Sequence, residues 1–283
     1  MEFNLSPRPS PIAGTWYSSN PRTLGEQVDD YIEAAVIQEE DIPGKVVAII
    51  SPHAGYRYSG RTAGYAYRAV KETPRNLAVI LSPLHAYASG DFITTNYASY
   101  KTPLGEVAVA VDLLNGLEAN LRQEGIILEQ IKRDEEHSLE IQLPFLQRAW
   151  SNGFQLLPIM VRCGRAETIQ TFAQSLFAAL QGNDYLLIAS TDLSHFHPLS
   201  HAEQLDAEML RRIKALDPLA VLGAESERKA SACGAGAVAA VLWASEMAGA
   251  DYAGILNYST SADVTGDTSS VVGYGAAVLT KIV

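Results

Sequence analysis

Short, near-continuous apolar runs recur along this chain, and longer segments with helical spacing separate them. Residues 45–50 (KVVAII), 77–82 (LAVILS), 106–111 (EVAVAV), 155–161 (QLLPIMV), 184–190 (DYLLIAS), 252–258 and 270–281 read as strands. A strand that is apolar on both sides has no face for water, which is the pattern of a sheet covered on both faces by helices. Helical spacing falls at 60–71, 138–150, 166–181, 202–215, 218–226 and 234–248. In the third of these, Ile169, Phe172, Leu176, Ala179 and Leu180 share one face, as expected of a helix packed on a sheet. Pro144, inside 138–150, predicts a kink or a fresh helix start, because proline lacks an N–H and crowds the preceding turn. The recurring strand-loop-helix-strand order predicts an α/β fold: a mostly parallel central sheet with helices on both faces and right-handed crossovers. No Ser/Gly/Pro-rich linker divides the chain and no short-period repeat appears, so 1–283 reads as a single domain.

Composition narrows the functional classes. With 283 residues, 47% of them hydrophobic and 19% charged, the chain can bury a large core without staples. Lys and Arg number 21 against 32 Asp and Glu, for a net charge of −11, and no basic run is present. That balance argues against nucleic acid as a partner, which needs a basic stripe to displace counterions. The apolar run at 232–244, interrupted by glycines, falls short of the roughly 20 residues of a membrane span. The first residues lack the basic-then-apolar pattern of a signal peptide. Only two cysteines occur, Cys163 and Cys233, far apart, which excludes a disulfide scaffold and fits a reducing compartment. The expectation is a cytoplasmic protein with no membrane partner. The G-x-S-x-G elbow, the Walker loop, a G-x-G-x-x-G after a strand, C-x-x-C and H-E-x-x-H are all missing, which removes their chemistries.

The polar residues are not scattered. KVVAII runs into SPHAGYRYSG, LAVILS into PLHAYASG, and DYLLIAS into TDLSHFHPLSH. These loops hold or adjoin five of the six histidines, His53, His85, His195, His197 and His201, while His137 opens a helix in DEEHSLEIQL. Open α/β sheets bind ligands outside the carboxyl ends of their strands. A single loop histidine is more often hydrogen-bonded to backbone. Two at equivalent strand ends tip the balance, because neighbouring strands lie about 5 Å apart and imidazoles can then share an ion at roughly 2.1 Å. His195 with Asp192 reads as an acid/base histidine and its orienting carboxylate, against a reading in which Asp192 or Ser194 caps the next helix. His137 and Glu140 are one turn apart, which suits a pair but is common on surface helices. Cys233 opens the small-residue helix ACGAGAVAAVL; it is a metal-binding or nucleophilic thiolate, or a small buried apolar residue. Cys163 reads as structural, and His197 and His201 as solvated or capping. Tyr17, Tyr56, Tyr58 and Tyr87 near these loops suit the wall of an aromatic pocket. Arg57 and Arg61 can meet a carboxylate or phosphate or simply face water. Tyr17, Tyr56 and Arg57 are therefore the expected contacts for a small molecule or peptide in the cleft.

AGTWYSS, SPHAGYRYSG, LSPLHAY, DEEHSLEIQLPFL, STDLSH, ACGAGAV and DVTGD…VVGYGA, in that order, resemble the Memo-like family, labelled in many prokaryotes AmmeMemoRadiSam system protein B. The resemblance runs from about residue 8 to 278. It implies a fold similar to the class III extradiol (LigB-type) dioxygenases, whose non-haem iron sits on two histidines and a carboxylate with positions left open. Carried over, the resemblance implies His53, His85 and Cys233 as ligands of iron (Fe2+), with copper or zinc as alternatives. It also implies proton handling by His137 and His195, with Asp192 beside them. This chain departs from the family's usual P-S-H-H at Pro83-Leu84-His85-Ala86, keeping the histidine at the ligand position. Cysteine in place of carboxylate softens the site and makes a ligand oxidisable, so ring cleavage does not follow from the fold. The expected function is a metal-linked redox role. The rival expectations are an extradiol-type dioxygenase for a small aromatic substrate and a peptide- or protein-binding module. The family label further implies a radical-SAM protein and an AMMECR-type protein as companions.

Overall fold

The computed structural model describes residues 1–282. In chain order the strands are β1 (Lys45–Ser51), β2 (Leu77–Ser82), β3 (Phe92–Thr95), β4 (Ser99–Thr102), β5 (Gly105–Ala108), β6 (Leu128–Ile131), β7 (Gln155–Val161), β8 (Tyr185–Ser190), β9 (His195–His197), β10 (Tyr252–Thr260) and β11 (Val271–Lys281). The helices are α1 (Pro21–Ala34), α2 (Tyr56–Arg68), α3 (Val111–Gln123), α4 (His137–Glu140), α5 (Leu143–Ala149), α6 (Ala166–Leu180), α7 (Leu199–Lys214), α8 (Pro218–Ser226), α9 (Ala235–Met247) and α10 (Ala262–Thr265).

The main sheet runs β10-β11-β1-β8-β2-β7-β3-β6, with β9 branching from β11. Its centre is parallel, through β1/β8, β8/β2 and β2/β7. Antiparallel pairs join β11 to β1 on one side and β3 to β7 on the other. The β2 strand is buried along its whole length, as its unbroken apolar sequence requires. Pro158 lies inside β7 and brings no N–H to the ladder. The β3 strand pairs with β7 only at Phe92 and Ile93, and beyond them the Thr94 hydroxyl donates to the Pro158 carbonyl (2.8 Å). Helices flank the sheet and one contiguous apolar core fills the space between. Among the described residues, no helix is long and apolar enough to cross a membrane.

The expected strand at 106–111 is corrected. Residues Gly105–Ala108 form a hairpin with β4 outside the main sheet, and Val111 already begins α3. Only Val107 is buried in that strand, so its alternation reports a solvated ribbon rather than a core strand. The helix expected from residue 60 starts at Tyr56. The 138–150 segment divides as Pro144 predicts, with the proline in the first turn of α5.

Candidate metal centre

The strands β1, β8 and β2 are neighbours, so their carboxyl ends deliver His53, Asp192 and His85 to one edge of the sheet. His137 arrives from another direction, as the first residue of α4. One ligating nitrogen from each of His53, His85 and His137 lies within 4.8 Å of the others. The His85 and His137 rings stack with centroids 4.5 Å apart, and His53 stands nearly perpendicular to both.

Hydrogen bonds fix which nitrogen of His53 and of His85 faces inward. Tyr67 donates to Gln142 Oε1 (2.6 Å), so Gln142 Nε2 donates to Ser190 Oγ (2.8 Å). The single Ser190 hydroxyl proton goes to the Ser138 carbonyl (2.6 Å), which can only accept. Ser190 Oγ, 3.0 Å from His53 Nδ1, must therefore accept there, which leaves His53 Nε2 bare. Glu136 does the same for His85, whose Nδ1 is 2.9 Å from Oε1, and the same oxygen lies 3.3 Å from His137 Nδ1 as a charge contact without a hydrogen bond. Glu136 also accepts the amide N–H groups of His85 (2.6 Å) and Ser138 (2.9 Å). A histidine held by a carboxylate through one nitrogen presents the other to a metal in a fixed orientation.

Electrostatics favour neutral imidazoles at His53 and His137. Burial and the neighbouring His85 push His53 down to about 3, and burial pushes His137 down to about 4. His85, more open, is raised by its hydrogen bond to Glu136. Burial penalises the Glu136 charge, yet hydrogen bonds from His85 and Ser138 and the His137 charge hold it well below the usual carboxylate range. Burial raises Asp192 to about 6 against the His53 and Ala54 amides that accept none of its charge but donate to it. Neutral imidazoles with free Nε2 lone pairs are the form that a metal requires.

Cys233 stands outside the three-histidine set. Its sulfur lies 3.1 Å from His53 Nε2 and accepts the Asp192 amide N–H (3.3 Å). With Nε2 bare, the thiol proton points at it. Burial and the Asp192 charge push this thiol up to about 12, so it gives up its proton only to a cation that takes the proton's place. The small residues of its helix let it approach neighbouring backbone closely. A Cβ on Gly234 would lie 2.5 Å from the Ser190 carbonyl, and one on Gly236 2.7 Å from that of Cys163.

The histidines open onto a cavity of about 420 Å³ that also meets Asp192 and His195 and has Trp16, Tyr58, Val272 and Tyr274 as its apolar wall. Trp16 packs on His137 with centroids 4.3 Å apart. A larger cavity, about 880 Å³, opens beside Gly90, Glu129 and Arg165 and contains neither histidine nor cysteine. Three expected contacts lie elsewhere. Tyr17 is buried, its hydroxyl donating to Glu140 (2.6 Å), and Tyr56 is buried with its hydroxyl on the Ile141 carbonyl (2.8 Å). Arg57 faces solvent over the Tyr58 ring. Glu140 does not pair with His137; it faces Arg8, Ser10 and Tyr17. Glu136, Ser190 and Trp16 escaped the sequence reading. Glu136 sat in plain view beside His137 in DEEH, but an acidic residue there reads equally well as a solvated helix start.

A family model described as Memo-like protein matches residues 8–278, so the chain belongs to the Memo-like family. A MEMO1 family protein of Nitrosopumilus maritimus is 34% identical over 94% of this chain and 96% of its own. Another from Methanosarcina barkeri is 35% identical over 95% of this chain and 98% of its own. The crystal structure of protein JW3007 from Escherichia coli K12 matches with a TM-score of 0.51 at 14% identity, covering 83% of this chain and 100% of that one. That likeness speaks for the fold.

Proposed function

We propose that the protein is a metal-dependent member of its family, with a single ion held by His53, His85 and Cys233 and a redox role linked to that ion. The observation that carries the reading is the bare His53 Nε2 with the Cys233 sulfur 3.1 Å away, beside His85 in the same histidine cluster. Two nitrogens and a thiolate suit iron, and accept copper or zinc more readily than an all-oxygen site would. A bound ion supplies a redox centre or a Lewis acid. The chain's own residues do the rest. Ser190 and Glu136 aim the ligand rings, His137 and His195 accept and pass on protons at the cavity, Asp192 sets its charge, and Trp16 and Tyr274 limit water. Cobalt substitution tests the ligand set. The wild type should show a thiolate-to-cobalt charge-transfer band that Cys233→Ser abolishes and His137→Gln keeps. A band untouched in Cys233→Ser, or none in the wild type, would overturn it and leave the three histidines as the ligands.

The cavity volume and its aromatic wall favour a second reading, in which the ligand is a small aromatic molecule. Anaerobic Fe(II) loading followed by oxygen-uptake assays over a panel of catechols decides it, and silence across the panel counts against it.

A further inference from the structure

We infer that Arg8 is the positioning residue of the metal centre, acting through Glu136. This rests on the proposed metal site but is read from contacts that the site does not use. Arg8 is 0% exposed, an expensive place for a guanidinium unless its charge is paired. Its Nη1 pairs with Glu140 and Nη2 donates to the Glu136 carbonyl (2.6 Å), while Nε lies 3.0 Å from Asp134 Oδ2 as an ion pair without a hydrogen bond. Asp134 in turn accepts the Glu136 amide N–H (3.1 Å) and the Tyr100 hydroxyl. The Glu136 backbone is thus gripped on both sides, its carbonyl by Arg8 directly and its N–H by the carboxylate that Arg8 neutralises. Glu136 is the residue whose carboxylate orients His85 by a hydrogen bond and stands 3.3 Å from His137 Nδ1.

The rest of the N-terminal segment belongs to the same clamp. The Ser10 and Tyr17 hydroxyls donate to the Glu140 carboxylate, and Trp16, next to Tyr17, packs on His137. The clamp therefore sets the facing of the His85 imidazole, and borders His137, from a residue far away in the sequence. A fork is required, since one group must serve Asp134, Glu140 and a carbonyl together, and a lysine ammonium cannot reproduce that planar geometry.

Arg8→Lys keeps the buried charge and removes the fork. A neutral set, Arg8→Met with Asp134→Asn and Glu140→Gln, removes the ion cluster without leaving a lone charge. Two readouts apply to each folded variant: Co2+ affinity, and the hydrogen-bonded Nδ1–H resonance of His85 in metal-free protein. Both variants should bind Co2+ about 10- to 100-fold more weakly, the usual effect of losing a group that orients a ligand. Both should also lose the His85 Nδ1–H resonance, while His53, held by Ser190, keeps its own. Wild-type affinity and an intact His85 Nδ1–H resonance in Arg8→Lys would overturn the inference. If the wild type itself binds no metal, the proposed function fails alone, and the His85 resonance still decides the role of Arg8.

Discussion

His53 and His137 stay neutral in the folded protein at pH values where an exposed imidazole carries a proton, and this has a consequence for stability. Their folded values of about 3 and about 4 lie below the ordinary 6.5, so on acidification the unfolded chain takes up protons that the folded one refuses. Their contribution is present above 6.5 and is lost as pH falls toward 4. Asp192 works the other way. Its value of about 6 exceeds the ordinary 3.8, so its contribution is present at low pH and is lost as pH rises through 6. His85, raised by its Glu136 hydrogen bond, acts in the same sense as Asp192, but the drops at His53 and His137 together exceed the Asp192 rise. The melting temperature of metal-free protein, followed by circular dichroism, should fall between about pH 6.5 and about pH 4. The fall should be shallower in His137→Gln and steeper in Asp192→Asn; a flat wild-type profile would contradict these assignments. At this scale the sequence showed which polar residues sit at strand ends, because a strand end is a local property. It did not show that Tyr17 and Tyr56 turn inward, because a tyrosine beside a site reads the same whether its ring faces the cavity or the core.

The helix α9 must come close to the strand ends for Cys233 to reach His53, and glycine makes the approach possible. Gly234→Ala would place a Cβ 2.8 Å from Thr191 Cβ as well as against the Ser190 carbonyl, the same Ser190 that fixes the His53 tautomer. This substitution should destabilise the protein by about 1–3 kcal/mol in urea unfolding, the cost of overpacking. Gly116 in α3 is exposed with nothing within 4 Å, so Gly116→Ala should stabilise by about 0.5–1 kcal/mol through helix propensity. Equal effects of the two substitutions would contradict the packing account. Core strands such as β2 and β7 were legible because they are long apolar runs. The four-residue strands β3 and β6 were not, since FITT and LEQI carry too few apolar positions to mark a period. The α3 helix was missed for a related reason: its buried stripe is only Leu114, Leu117 and Leu121.

Across the whole molecule, the topology gathers the candidate site. Residues 53, 85, 137 and 233 come to one edge of the sheet because β1, β8 and β2 are adjacent in space though not in sequence, while α9 is packed against β8. Motif order carried the family and the fold, but the convergence of His137 on His53 and His85 depends on where α4 lands, which no local pattern reports. An ion that binds the folded chain alone should also stabilise it. At 100-fold excess over its dissociation constant the gain is about 2.7 kcal/mol, which should appear as a rise in melting temperature that a chelator reverses. The central claim is that one cation is held at this edge of the sheet, and metal analysis of tag-free protein tests it most directly. The wild type should carry close to one ion per chain, and the His53→Ala/His85→Ala variant, folded by circular dichroism, should carry none above buffer. Equal metal content in the two proteins would contradict the account.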